Sequence, residues 1–287
     1  MNYLFYNELA SAGKIVDSIN NIKEELAKSL NGEIHVVSSK NLDLSEYLTK
    51  LKEKDKAIII GGDGTLNYQI NHLPIDNELP CALYLYPFGS GNDFLNDVEE
   101  YQDKNTKLIL LNNFLKSLPI VEVNGMSFRF INGIGYGIDG ECCKKAEQLK
   151  KEGVKDINYS KITIGLLFKG YKPPHSTLKI DGKEIGEFDR TYISATMKGK
   201  YYGGGMMVAP NQDRSSKYLS NICVHSKSKF KILMTFPKIF KGTHINNKNI
   251  VSSNIGKVIE VSFDSPTALQ IDGEVVENVL SYKAYIK

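Results

Sequence analysis

The sequence predicts an α/β fold in two domains: an N-terminal layered α/β domain with a parallel sheet, and a C-terminal β-rich, sandwich-like domain. The prediction rests on strand-like and helix-like segments that alternate up to Pro119, a change of texture there, and short strands joined by Asn-Gly and Asp-Gly pairs beyond it. A chain of 287 residues is long enough for one large domain or two ordinary ones. Tyr3-Leu4-Phe5-Tyr6 reads as a strand ending at Asn7. Ile19, Ile22, Leu26 and Leu30 recur at helical spacing and predict a helix over 18–30, stopped by Asn31-Gly32. Residues 34–37 resume as strand, 44–51 as helix, and Ala57-Ile58-Ile59-Ile60 and Leu83-Tyr84-Leu85-Tyr86 as further strands. After Pro119, residues 121–123 and 127–131 flank Asn124-Gly125, and 177–180 and 183–188 flank Asp181-Gly182, each the pattern of a hairpin. Residues 192–197, 222–225, 258–263 and 268–271 are also strand-like, and no internal repeat appears. The expected domains are 1–123 and 124–279, with 280–287 returning as a strand to the first.

Composition narrows the classes. With 24% charged residues and 41% hydrophobic ones, the chain reads as globular, neither disordered nor an integral membrane protein. Its longest apolar run, 162–168, is closed by Lys161 and Lys169, far short of the roughly 20 residues that span a bilayer. The first residues carry no secretory pattern, so the expected location is the cytoplasm. Cys81, Cys142, Cys143 and Cys223 show no C-x-x-C spacing and read as reduced thiols, and the five histidines show no metal-ligand spacing. The net charge is only +3, yet from Arg214 to Ile259 there is no Asp or Glu among nine Lys and Arg. Such a block either attracts a phosphate-rich surface or is a solvated face. No nucleic-acid-binding module accompanies it, so no nucleic acid is expected.

The stretch Ile58-Ile59-Ile60-Gly61-Gly62-Asp63-Gly64-Thr65-Leu66-Asn67 runs a buried strand into three glycines around one carboxylate, then into a helix. Small residues let backbone N–H groups approach an anion, and a helix N-terminus favours one. Beside phosphate, Asp63 would hold magnesium, orient a hydroxyl, or fix the loop by accepting backbone hydrogen bonds. Taken alone, the glycines describe equally well a strand-to-helix turn with Asp63 as its cap. A second strand end carries Pro87-Phe88-Gly89-Ser90-Gly91-Asn92-Asp93-Phe94, and a third, from Asn7 to Lys14, supplies small residues and a lysine. In parallel sheets, ligands sit at the carboxyl ends of strands, where these loops converge. Neither a P-loop nor a Rossmann fingerprint occurs.

In these two loops the sequence resembles the diacylglycerol kinase catalytic family, which includes bacterial soluble lipid kinases and sphingosine kinases. Asn132-Gly133-Ile134-Gly135-Tyr136-Gly137-Ile138-Asp139, Tyr202-Gly203-Gly204-Gly205-Met206, Ala209-Pro210 and Asp272-Gly273-Glu274 follow in that family's order. Gly-Gly-Asp-Gly-Thr alone is shared with NAD kinases and phosphofructokinases, whereas the ordered set is specific. The resemblance implies an ATP- and magnesium-dependent lipid kinase whose N-terminal domain binds nucleotide, with the active site in the cleft between domains. It places ATP at Asn7 and Ser11, at Gly61, Gly62, Asp63, Gly64, Thr65, Leu66 and Asn67, and at Ser90. It gives the proton-acceptor role to Glu274, with Asp272 beside it and Asp63 as a further catalytic carboxylate. Such a base needs no strongly shifted pKa, because phosphoryl transfer is mostly positioning and charge neutralisation. Without the other motifs, Asp272-Gly273-Glu274 would be a plain β-turn.

The sequence departs from that family at Glu8, where proline is usual, at Ser11, where glycine is common, and at Ser90, where threonine is usual. Where bacterial members carry an Asp-containing turn for a structural magnesium, this chain has Arg214-Ser215-Ser216-Lys217-Tyr218-Leu219-Ser220. That accessory ion is expected to be absent or to rely on Asp213; the catalytic one is assigned to nucleotide phosphates and Asp63. Ile232, Leu233, Phe236, Ile239 and Phe240 share a helical face ringed by Lys229, Lys231, Lys238 and Lys241, with Pro237 as a kink. The face suits either a core or an anionic membrane. The expected partners are nucleotide and a lipid substrate at a membrane surface, the protein being peripheral at the inner membrane; a homodimer stays open. The rivals are a kinase of a soluble acceptor, as in NAD kinases, and a non-catalytic nucleotide- or lipid-binding regulator.

Overall fold

The computed structural model describes residues 1–8, 13–40, 42–73, 79–89, 91–154 and 157–287. They form two compact units, Met1–Leu118 and Pro119–Lys287. The first unit runs β1 (Asn2–Tyr6), α1 (Lys14–Ala27), β2 (Ile34–Ser38), α2 (Leu44–Thr49), β3 (Lys56–Gly61), α3 (Asp63–His72), β4 (Ala82–Pro87), α4 (Asp93–Val98), β5 (Ile109–Leu110) and α5 (Asn112–Leu115). Its sheet has the order β2-β1-β3-β4-β5, parallel except for the antiparallel edge strand β5. The central strand β3 is apolar on both faces and buried from Ala57 to Gly61, as a covered parallel strand must be. Helix α1 begins four residues earlier than the periodicity predicted. Ile15 extends the stripe of Ile19, Ile22 and Leu26 by one turn, and all four enter the core with Leu4, Ile58 and Ile60.

The second unit runs β6 (Ile120–Val123), β7 (Met126–Arg129), β8 (Gly133–Gly137), α6 (Ile138–Lys151), α7 (Tyr159–Phe168), β9 (Ser176–Ile180), β10 (Lys183–Phe188), β11 (Thr191–Met197), β12 (Tyr201–Tyr202), β13 (Met206–Met207), β14 (Leu219–His225), α8 (Lys229–Ile239), β15 (Val251–Gly256), β16 (Val258–Ile271) and β17 (Glu274–Tyr285). Strands β15-β14-β11-β8-β16-β17-β6-β7 form one antiparallel path, with the β9–β10 hairpin attached through β9 to β16. The two strand-like stretches of 258–271 are a single strand whose register breaks between Ser262 and Thr267. Its first half pairs with β9 and its second with β8.

Asn124-Gly125, Asp181-Gly182 and Asp272-Gly273 each place both residues at positive φ, the type I′ geometry that matches strand twist in two-residue hairpins. The structure corrects two expectations of domain layout. Residues 280–285 lie in β17, whose Tyr282 to Tyr285 pair with Val123 to Ile120 of β6 and whose Val279, Tyr282 and Ala284 enter the second unit's core. The chain end therefore stays in the second unit. Because β6 is bound to β17 and β7, the units divide at Leu118/Pro119, before the expected 123/124.

This unit also holds helices that strand patterning left out. Helix α6 buries mostly small residues, Gly140, Cys142 and Ala146 behind Ile138, so it carries no strong apolar stripe. A Cβ on Gly140 would stand 2.1 Å from the Ala268 carbonyl oxygen, so only glycine lets α6 lie this close to β16. The apolar run 162–168 lies in α7. No described helix is long and apolar enough to cross a membrane.

Candidate functional site

In the first unit, the expected residues gather at the carboxyl edge of three adjacent strands. Parallel register aligns Tyr6 with Ile60, Ile60 with Tyr86, and Gly61 with Pro87, so the segments after β1, β3 and β4 leave the sheet side by side. Gly62 is the N-cap of α3 and, as glycine, offers no side chain to cap its first turn. A Cβ on Gly61 would fall 2.4 Å from Thr65 Cβ, and one on Gly89 would fall 2.7 Å from Gly62 Cα. The two loops touch backbone to backbone, and the Phe88 N–H donates to the Gly61 carbonyl at 2.8 Å. Gly64 is exposed, and a Cβ there would meet nothing within 4 Å. The start of α3 thus has room beside Gly64, and a helix N-terminus suits an anion. Leu66 serves the core at 1% exposure, and Asn67 is buried behind the loop, its carbonyl accepting from Asn71.

Of the roles open to Asp63 in sequence, the geometry shows the brace. Oδ2 accepts the Asp93 N–H at 2.8 Å and Oδ1 the Phe94 N–H at 2.9 Å, tying α3 to the start of α4. Glu8 also finds a purpose: its carboxylate accepts from Ser38 Oγ and Lys40 Nζ, pinning the segment after β1 to the end of β2. Asn7 lies exposed at that edge. Ser11 and Ser90 lie outside the described residues.

The second unit holds the other carboxylates. Asp272 sits in the turn between β16 and β17, where its carboxylate accepts three backbone N–H groups: Ile131 at 2.6 Å, and Asn132 and Gly133 both at 2.9 Å. This geometry makes the carboxylate an anchor that clamps 131–133. Glu274 stands exposed at the start of β17. Around Asn132, which is 2% exposed, Arg214 donates to Asn132 Oδ1 and to the Ile131 carbonyl, while the Lys198 and Gly199 N–H groups donate to its carbonyl. Lys198 is buried and donates to the Ser216 carbonyl at 2.8 Å. Burial, and then the neighbouring Arg214, lower its pKa to about 8. Sequence reasoning missed Lys198 and Arg214 as network members; a lysine directly after the buried strand β11 was the available signal.

Neither carboxylate expected to hold a metal fits that use. Both Asp63 oxygens face backbone donors, and Asp213 Oδ1 accepts from Ser215 N and Oγ while Lys198 and Lys200 lie nearby. Among the described residues no three His, Cys, Asp or Glu side chains are grouped to hold an ion.

A third link joins the glycine-bearing segments of this unit to the Asp272 turn. Asp139, at the start of α6, accepts from Gln270 Nε2 at 3.0 Å and from the Tyr202 hydroxyl, and Gln270 Oε1 accepts the Gly273 N–H at 2.7 Å. Burial pushes the Asp139 carboxyl up to about 6. Between the ordinary value of 3.8 and about 6, the folded chain holds a proton that the unfolded chain releases. This contribution to stability is complete below the lower value and lost as pH rises through the upper one. Asp139→Asn should therefore gain stability relative to the parent between pH 4 and pH 7, by up to about 2 kcal/mol, in paired urea titrations. A pH-independent difference would show that the carboxyl titrates normally.

Comparison with known proteins also gives two domains, the first match running to residue 123. Residues 2–123 match the model of the diacylglycerol kinase catalytic domain, and residues 132–282 that of the YegS C-terminal NAD kinase beta sandwich-like domain. The chain is 26% identical to a protein named "Putative lipid kinase" from Staphylococcus haemolyticus, over 95% of this chain and 89% of that one. It is likewise 26% identical to a protein of the same name from Staphylococcus aureus strain RF122, over 95% of this chain and 90% of that one. A crystal structure titled as a putative diacylglycerol kinase from Bacillus anthracis shares the fold at a TM-score of 0.69 and 20% identity, covering 100% of this chain and 93% of that one.

Proposed function

Because the chain belongs to the diacylglycerol kinase catalytic family, we propose that it is an ATP-dependent phosphotransferase acting on the hydroxyl of diacylglycerol or a similar lipid alcohol. The observation that carries the reading is the pair of loops locked backbone to backbone at Gly62 and Gly89, with the exposed Gly64 at the start of α3 beside them. In this reading the N–H groups of the first turn of α3, at Gly64 and Thr65, hold the nucleotide phosphates, and Asp63 keeps the cradle rigid by bracing α4. ATP arrives with magnesium on its phosphates, which neutralises charge there. The acceptor oxygen bonds to the γ-phosphorus as the bond to the β,γ-bridging oxygen breaks and ADP leaves. The hydroxyl proton goes to the carboxylate of Glu274, which is exposed and held in place by the Asp272 turn.

The relatives' names support the lipid as acceptor, and the second unit's match supports the kinase class. Release of ADP, followed as acceptors are added to the protein with magnesium and ATP, tests this choice. Stimulation by diacylglycerol in mixed micelles and not by a dissolved dinucleotide is the expected result. Stimulation by the dinucleotide alone would replace the lipid with a soluble acceptor.

A further inference from the structure

Helix α8 shows different apolar sets on its two sides. Ile232, Thr235 and Ile239 are buried, and Leu233 and Phe236 pack partly against the same core, so the stripe noted in the sequence, Phe240 excepted, is the helix's inner face. The outer face is another set. Phe230 is 70% exposed and Met234, one turn on, is 57% exposed, with Pro237 continuing the line and Phe240 40% exposed just past the helix. Lys227, Lys229, Lys231, Lys238 and Lys241 are all exposed around it. Lys227 faces Asp189 at 3.6 Å, and among the described residues the other four have no ion-pair partner.

Singly exposed apolar side chains are ordinary, but two large ones a turn apart on a helix without acidic residues, ringed by cations, have the composition of an interfacial helix. We propose that the outer face of α8, led by Phe230 and Met234, seats the protein on an anionic lipid bilayer. The unbranched Met and the Phe ring enter the acyl boundary while lysine stems lie along it with their ammonium groups among lipid phosphates. Charge selects this occupant over a second copy of the chain, because a two-fold contact through α8 would face lysines with lysines. The purpose of the seat rests on the lipid-acceptor reading above, whereas the binding itself does not.

Sedimentation of the full chain with sucrose-loaded vesicles provides the test. The parent protein is expected to pellet with phosphatidylcholine vesicles containing one quarter phosphatidylglycerol, and much less with phosphatidylcholine alone or at high salt. Phe230→Ser with Met234→Ser should weaken binding about tenfold or more, and Lys231→Gln with Lys238→Gln about fivefold per lysine. Both pairs are exposed, so an unchanged melting temperature is expected to accompany the loss. Equal pelleting with neutral vesicles, or undiminished binding by both variants, would overturn the proposal. So would a dimer seen by light scattering that dissociates in the serine variant without vesicle binding. Transfer to a short-chain acceptor dissolved as monomer separates the two readings. If it proceeds equally in parent and serine variant without α8-dependent vesicle binding, docking fails and the kinase reading stands; vesicle binding without any transfer does the reverse.

Discussion

Asp63→Ala is expected to abolish phosphoryl transfer and to lower the unfolding free energy by about 2–4 kcal/mol, because it strands two backbone donors at once. The N–H groups of Asp93 and Phe94 point at its two oxygens, and those residues are 5% and 1% exposed, so water cannot readily replace the carboxylate. The loss is local in origin but reaches the cradle, since the approach of Gly62 to Gly89 depends on α3 and α4 staying together. Asp63→Asn retains one acceptor and should lose about half as much stability. Urea unfolding read beside the rate gives the answer. A variant with parental stability and no activity would move Asp63 from bracing into the chemistry.

The two carboxylates of the Asp272-Gly273-Glu274 turn should respond in opposite ways. Glu274 is exposed, so Glu274→Gln should leave stability within about 0.5 kcal/mol while lowering kcat by at least about 100-fold, as removal of a general base does. Asp272→Asn should instead cost about 2–3 kcal/mol, because an amide turned to accept offers one oxygen where the carboxylate serves three N–H groups. Its activity should fall along with its stability and recover in part on cooling or with stabilising additives. If Asp272→Asn were stable and inactive and Glu274→Gln active, the proton would pass to Asp272.

The first unit was legible because its signals are local. A strand buried on both faces, such as 57–60, spells itself out as an unbroken apolar run, and the helix that follows reveals its start through glycines. The two Asx-Gly hairpins read as such were also legible, since positive φ at both turn positions leaves few residue choices. What was not legible depends on contacts remote in sequence. The pairing of residues 282–285 with 120–123 spans most of the second unit, and nothing in the last strand's alternation says which edge it joins. Helix α6 hides because it packs through small residues rather than a stripe. For α8, the heptad-like stripe identified the helix but not which apolar residues stay outside; Phe230 and Met234 emerged only once the inner face was fixed by its neighbours. The candidate site shows the same division. The loops of 61–67 and 88–94 were readable, whereas Asp63 as a brace, Asp272 as a clamp across about 140 residues and the Lys198–Arg214 network around Asn132 are products of the fold.

The most direct test of the lipid-kinase reading is transfer of labelled γ-phosphate from ATP, with magnesium, to mixed micelles of bacterial lipid containing diacylglycerol, followed by extraction into organic solvent. Label in the organic phase for the parent protein, lost in Glu274→Gln, is the predicted result. Label confined to a water-soluble product, or ATP bound without any transfer, would contradict it.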